Sequence, residues 1–172
     1  MKDNSVNRLV ELDYSQQVIQ RKGPKVKRTQ QVSPAKLVSL MSKIPFFTRM
    51  NNSECAQIAE YAQIFVAEPG EAIIERGARD TCFYILLSGT GNVCLEKDIA
   101  PVAQVNPGDI FGEIGFVLNT PRSSWVIAEK MCALIRVDQI LMNNLDFSSR
   151  DKIKDQIILK LANTIENLNE MT

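Results

Sequence analysis

Glu113 and Arg122 stand nine positions apart in FGEIGFVLNTPRSS, residues 111 to 124, an otherwise apolar stretch with two glycines and a proline. An acid and an arginine set this way can neutralise each other at a tight corner, or they can face two ends of one small anionic molecule. A guanidinium fork matches phosphate oxygens two at a time. An ionised carboxylate is an acceptor, which suits a sugar hydroxyl. Phosphate at one end and ribose at the other describe a nucleotide. Gly112 bears on the choice, because a short helical turn opening directly after it exposes its first amide N–H groups and the positive end of its dipole. Glycine there also lets an anion approach the backbone closely.

Such a block must be held by a scaffold, and the pattern around it supplies one. From Ile64 to Val137 short runs rich in Ile, Val, Phe and Leu alternate with turn residues about every 8 to 12 positions, as in a compact all-β unit. IFVA, EAIIE, CFYILLS, GNVCLEK, PVAQVN, DIFG, SSWVIA and CALIRV are the predicted strands. About eight short strands point to a barrel or a double-sheet jelly roll, which limits exposed edges.

Helices flank this unit. Ser33-Pro34 caps and opens one, Asn52 or Ser53 starts a second, and Lys43 to Phe47 forms the corner between them. After Val137, Asp138 is the expected N-cap for QILMNNL, and Ser148 to Asp151 has a capping-box layout before a longer helix. In that helix Ile157, Ile158, Leu161, Ile165 and Leu168 form an apolar stripe, with Lys154, Lys160, Asn163, Glu166 and Asn167 on the other faces. The stripe either packs on its own domain or pairs with a second copy. Residues 1 to 32 read as a basic N-terminal arm, with five positive charges in RKGPKVKR at 21 to 28, and residues 33 to 172 as the domain.

Composition removes several functions. The chain has 172 residues, 45% of them hydrophobic, enough for one buried core. Its 20 basic and 20 acidic residues cancel, which gives no general attraction to nucleic acid. There is no histidine for a cupin-type metal site, and Glu71, Glu75, Asp80, Glu96, Asp109 and Glu113 lack the clustering that metal-dependent phosphodiesterase or cyclase chemistry needs. A sensor without catalysis or bound metal is the expectation. Cys55, Cys82, Cys94 and Cys132 are scattered through apolar runs, as small core residues that stay reduced in a cytoplasm. No apolar run approaches the roughly 18 residues of a membrane span.

Residues 111 to 124 resemble the phosphate-binding cassette of the cyclic nucleotide-binding domain family, as found in the catabolite activator protein and in regulatory subunits of cyclic-AMP-dependent protein kinase. Its pattern runs F-G-E-hydrophobic-small-hydrophobic and then, after a fixed gap, P-R and small residues. Glu75-x-Gly77, FYILLSGTGNV at 83 to 93 and Gly108-Asp109 agree with it, so the resemblance spans residues 34 to 172. It implies a mainly β fold with flanking helices: an eight-stranded jelly-roll barrel, N-terminal helices and C-terminal helices of the family's αB/αC type. It further implies that Glu113 accepts from the ribose 2′-OH and Arg122 pairs with the cyclic phosphate. Ile114, Gly115 and Ser123 then supply backbone N–H groups to that phosphate, with Gly112 and Ser124 beside them. Val102 and Phe111, with Ile85 and Val93, line the base or support its pocket, and Leu168, Met171 or Thr172 of the final helix closes over it.

Two departures concern the choice of base. Gly115 stands where alanine is common in eukaryotic relatives, and Ser123-Ser124 where small apolar residues are. A hydroxyl at 123 could meet the 2-amino group of guanine, so cGMP is the alternative to the favoured ligand, cAMP. The chain ends at Thr172, before any helix-turn-helix, so DNA is not an expected partner. A stand-alone receptor that signals to a protein partner through its helices is the reading. A scaffold that keeps the fold without the ligand, acting by dimerisation or docking, is the alternative.

Overall fold

CFYILLS is apolar without alternation because the strand it forms is covered on both faces. In the computed structural model, which describes residues 27–29 and 32–172, this strand is β4 (Cys82–Ser88). Phe83, Ile85 and Leu87 belong to one buried cluster, and Cys82, Tyr84 and Leu86 to another.

The other strands are β1 (Lys27–Thr29), β2 (Gln63–Ala67), β3 (Ala72–Ile74), β5 (Gly91–Cys94), β6 (Ala103–Val105), β7 (Ile110–Phe111), β8 (Trp125–Ala128) and β9 (Cys132–Asp138). They form two antiparallel sheets, ordered β1-β2-β9-β4-β7 and β3-β8-β5-β6. Between the sheets lie Ile73, Ile74, Tyr84, Leu86, Phe111, Val126 and Leu134. All eight predicted strands are present, in the expected jelly-roll arrangement of two sheets flanked by helices.

β1 is an addition to that expectation. Lys27–Thr29 pair with Ile64–Val66, so the end of the basic segment is an edge strand rather than a free arm. The rest of the arm, residues 1–26, 30 and 31, lies outside the described residues.

Helices α1 (Pro34–Met41) and α2 (Asn52–Tyr61) flank a 3₁₀ turn at Pro45–Phe47. Ser33 caps α1, and Asn51 and Glu54 cap α2 reciprocally, each side chain bonded to the other's backbone N–H at 2.9 Å. Helix α3 (Glu113–Leu118) sits in the excursion between β7 and β8. Asp138 caps α4 (Gln139–Asn144) as expected.

The long helix α5 (Phe147–Glu170) differs from expectation at its start. Its N-cap is Asp146, which accepts from Ser149 N–H at 2.7 Å, not Ser148. Gln57 of α2 fixes this entry by accepting from Asp146 N–H at 3.0 Å. The buried stripe of α5 is also shorter than the sequence suggests. Ile153 and Ile157 are buried and Leu161 packs against them, while Ile158, Ile165 and Leu168 stay about 60% exposed. The core offers α5 a contact over its first half only.

Candidate functional site

Ile110 and Phe111 pair with Ile85 and Tyr84 of β4, and the Phe111 ring stacks on Tyr84 at 5.7 Å between centroids. This anchors the start of the excursion. Gly112 then takes a left-handed conformation, φ +81°, that turns the chain from strand to helix and that glycine adopts without strain. The first N–H groups of α3, from Glu113 to Gly115, have no acceptor within the helix. Asn119, also left-handed with φ 53°, ends the helix. Arg122 is held by its backbone, its N–H donating to Ala78 O at 2.9 Å and its carbonyl accepting from Gly77 N–H at 2.8 Å. That grip aims its side chain inward.

A cavity of about 840 Å³ opens between the four-stranded sheet, α3 and α5. Its volume lies in the range of small-molecule sites, about 300 to 1,000 Å³. Ile74, Val93, Val105, Phe111 and Val126 form the apolar floor. Gly112, Glu113, Ile114, Gly115, Arg122, Ser123 and Ser124 form the polar end. Helix α5 contributes Gln156, Leu159, Lys160, Asn163, Thr164 and Asn167.

Glu113 and Arg122 are both buried, at 5% and 4% exposure, and they do not pair with each other. Arg122 Nε donates to Asp80 Oδ1 at 2.7 Å. Its Nη1 and Nη2 donate to the carbonyls of Gly112 and Cys82. Burial alone would push the Arg122 guanidinium down, and the Asp80 carboxylate outweighs it and holds the group above its ordinary value. Burial, the largest single influence, likewise pushes Asp80 up, and the hydrogen bond and charge of Arg122 together with the hydrogen bond from Cys82 outweigh it and lower it. The pair is charged. Glu113 meets Lys160 of α5, Nζ to Oε2 at 3.0 Å, and the same ammonium donates to the carbonyl of Ile110.

Of the fourteen residues named for the site in the sequence, nine line the cavity. Val102 does not: its N–H continues the ladder to Val93 O at 2.8 Å while its side chain is 60% exposed. Its neighbours Ala103, Gln104 and Val105 on edge strand β6 reach the cavity instead. Ile85 is in the outer core against the helices, where it supports the strand rather than the cavity wall. Leu168, Met171 and Thr172 are not among the lining residues; α5 covers the cavity with an earlier, polar stretch.

Asp80 and Lys160 are the two charged partners that the sequence did not single out. Each is far from its partner along the chain, so local spacing carries no signal. Gln156, Lys160, Asn163, Thr164 and Asn167 do fall at helical spacings of three and four, the mark of one common face. Among the described residues no three of His, Cys, Asp and Glu are grouped to hold a metal, all four cysteines are buried free thiols, and no helix is long and apolar enough to cross a membrane.

The family model described as cyclic nucleotide-binding domain matches residues 64–146. Potassium channel AKT1 of Arabidopsis thaliana is 29% identical over 136 residues, 77% of this chain and 15% of the channel. The cAMP-dependent protein kinase regulatory subunit of Yarrowia lipolytica is 30% identical over 99 residues, 58% of this chain and 26% of that protein. The chain thus spans about a quarter or less of the curated relatives named here. Among solved structures, Sp-2Cl-cAMPS bound to PKAR CBD2 superposes with a TM-score of 0.64 at 24% identity, covering 81% of this chain and 94% of that one. A likeness at that identity shows the fold.

Proposed function

We propose that this chain, whose residues 64–146 match the cyclic nucleotide-binding domain model, is a regulatory receptor of that family whose cavity takes cAMP. One observation carries the proposal: Glu113, Arg122 and the opening turn of α3 meet at the polar end of an otherwise apolar cavity of about 840 Å³. The cyclic phosphate would lie against the α3 amides and Arg122, the ribose 2′-OH against Glu113, and the base over Val93, Val105 and Val126 beneath α5. The relative that is a cAMP-dependent kinase regulatory subunit supports adenine over guanine. No step of the reading involves bond-making or a metal.

Signalling follows from where α5 sits. Lys160 holds Glu113, so a ligand that recruits Glu113 to its ribose weakens one of the contacts that keep α5 over the cavity. Occupancy then shifts the population of α5 positions, which a partner protein or a second copy can read. The exposed Ile158, Ile165 and Leu168 support the second copy as that reader. Sedimentation of wild type and of Ile165→Lys/Leu168→Lys checks it: a dimer lost in the variant agrees, and a monomeric wild type removes it.

Calorimetry with cAMP and cGMP tests the ligand. We expect cAMP to bind the wild type more tightly than cGMP, and Arg122→Ala to weaken cAMP by roughly 10- to 150-fold, the cost of removing one partner of a charge-assisted contact. Equal binding by the variant would remove Arg122 from the phosphate site. Absence of any binding would favour the scaffold alternative.

A further inference from the structure

Gly115 has a helical backbone and no conformational need to be glycine, yet the space beside it is filled. A Cβ built there would stand 2.7 Å from Arg122 Nη1, 3.2 Å from Cδ and 3.4 Å from Cζ. Its three nearest neighbours are thus all atoms of one flexible side chain. Gly112 differs, because its positive φ excludes an L side chain and Ile74 Cδ1 stands 2.8 Å from the corresponding position.

The arginine that fills this space is turned inward. Its side chain is 2% exposed. Nε is on Asp80, Nη1 on the Gly112 carbonyl and Nη2 on the Cys82 carbonyl. Donors directed at backbone carbonyls are donors withheld from the cavity. A phosphate in the cavity therefore competes with acceptors that belong to the protein.

We propose that Gly115 sets the ligand affinity of the site, by leaving the room in which Arg122 is stored beneath α3 until a cyclic phosphate draws it out. The inference rests on the receptor reading above. A bound phosphate exchanges the Gly112 and Cys82 carbonyls for its own oxygens, and because the guanidinium is one rigid plane its Nε leaves Asp80 with them. Apparent affinity is then the intrinsic affinity multiplied by the fraction of molecules whose arginine is out. A methyl group at position 115 occupies the storage space and raises that fraction. It strains nothing in the backbone, and alanine is the better helix former.

The experiment is calorimetry with cAMP on four proteins: wild type, Gly115→Ala, Arg122→Gln and the double variant. In parallel, solvent exchange of the Arg122 Nε–H is followed by NMR in ligand-free wild type and Gly115→Ala. We expect Gly115→Ala to bind cAMP about 3- to 10-fold more tightly than wild type, by releasing a stored conformer. The gain should vanish in the Arg122→Gln background, and the Nε–H should exchange faster in Gly115→Ala. Unchanged or weaker binding by Gly115→Ala, with wild type binding normally, overturns the inference and leaves the receptor reading intact. A gain that persists without Arg122 also overturns it, since the methyl group would then act through helix propensity alone. No heat with any of the four proteins overturns the receptor reading itself, and the affinity role of Gly115 with it.

Discussion

Two buried glutamates tie α5 to the rest of the molecule, and they are used differently. Glu54 and Glu113 have side-chain exposures of 6% and 7%, and each faces a lysine of α5 whose own side chain is 33% exposed. Burial does not distinguish them. Glu54 receives Lys152 on both oxygens at 2.7 and 2.8 Å, the Ser148 hydroxyl at 2.6 Å and the Asn51 N–H at 2.9 Å. Glu113 has Lys160 as its charged partner and opens on the cavity. A carboxylate whose lone pairs are filled from within is an anchor; one with capacity left, beside an apolar cavity, is equipped to accept from a guest.

Removing each carboxylate separates the two roles. Glu54→Ala should cost about 2 kcal/mol of stability, since it strands a hydroxyl, an N–H and an ammonium, although the partly exposed lysine recovers some of this from water. Glu113→Ala should cost less than about 1 kcal/mol, because Lys160 can turn to solvent. Urea unfolding of both variants compares them directly. Similar losses would dissolve the distinction.

Acid sharpens the same contrast. Lys152, then Ser148 and the Asn51 N–H, hold the Glu54 carboxyl down from its ordinary 4.5 to about 2. A depressed acid stabilises the fold fully above its unfolded value, and that contribution is lost as pH falls through the folded one. Wild type should therefore lose stability between about pH 4.5 and pH 2, and Glu54→Gln should show a flatter acid limb over that window. Melting temperatures across the window decide it; parallel curves would mean that other carboxylates dominate.

The smallest effect concerns Lys160. Lys160→Met leaves Glu113 without its internal partner, so cAMP should bind about 3-fold more tightly as the ribose hydroxyl meets less competition. Weaker binding would make Lys160 a ligand contact instead.

The same contrast explains what was legible in the sequence. The eight strands were, because short apolar runs separated by turn residues recur through Ile64 to Val137. β1 was not, since Lys27–Thr29 has no apolar pattern and joins the sheet through the backbone. The cavity's chain-local part, from Phe111 to Ser124, was visible as one unbroken block. Its distant partners were not: Asp80 meets Arg122 across 42 positions, and Lys160 looked like part of a solvated helix face. That polar face is the cavity's cover, so α5 is polar where it meets the cavity and apolar where it meets the core at Ile153 and Ile157. The start of α5 was misplaced at Ser148 because the capping bond comes from Asp146, two residues earlier.

The central claim, a cyclic nucleotide with its ribose on Glu113, is tested most directly by titrating the wild type and Glu113→Gln with cAMP and with its 2′-deoxy analogue. The account predicts that the wild type prefers cAMP by roughly tenfold, the worth of one hydrogen bond to a charged acceptor, and that Glu113→Gln loses that preference. Equal affinity of the wild type for the two ligands, or a preference that survives in Glu113→Gln, would contradict it.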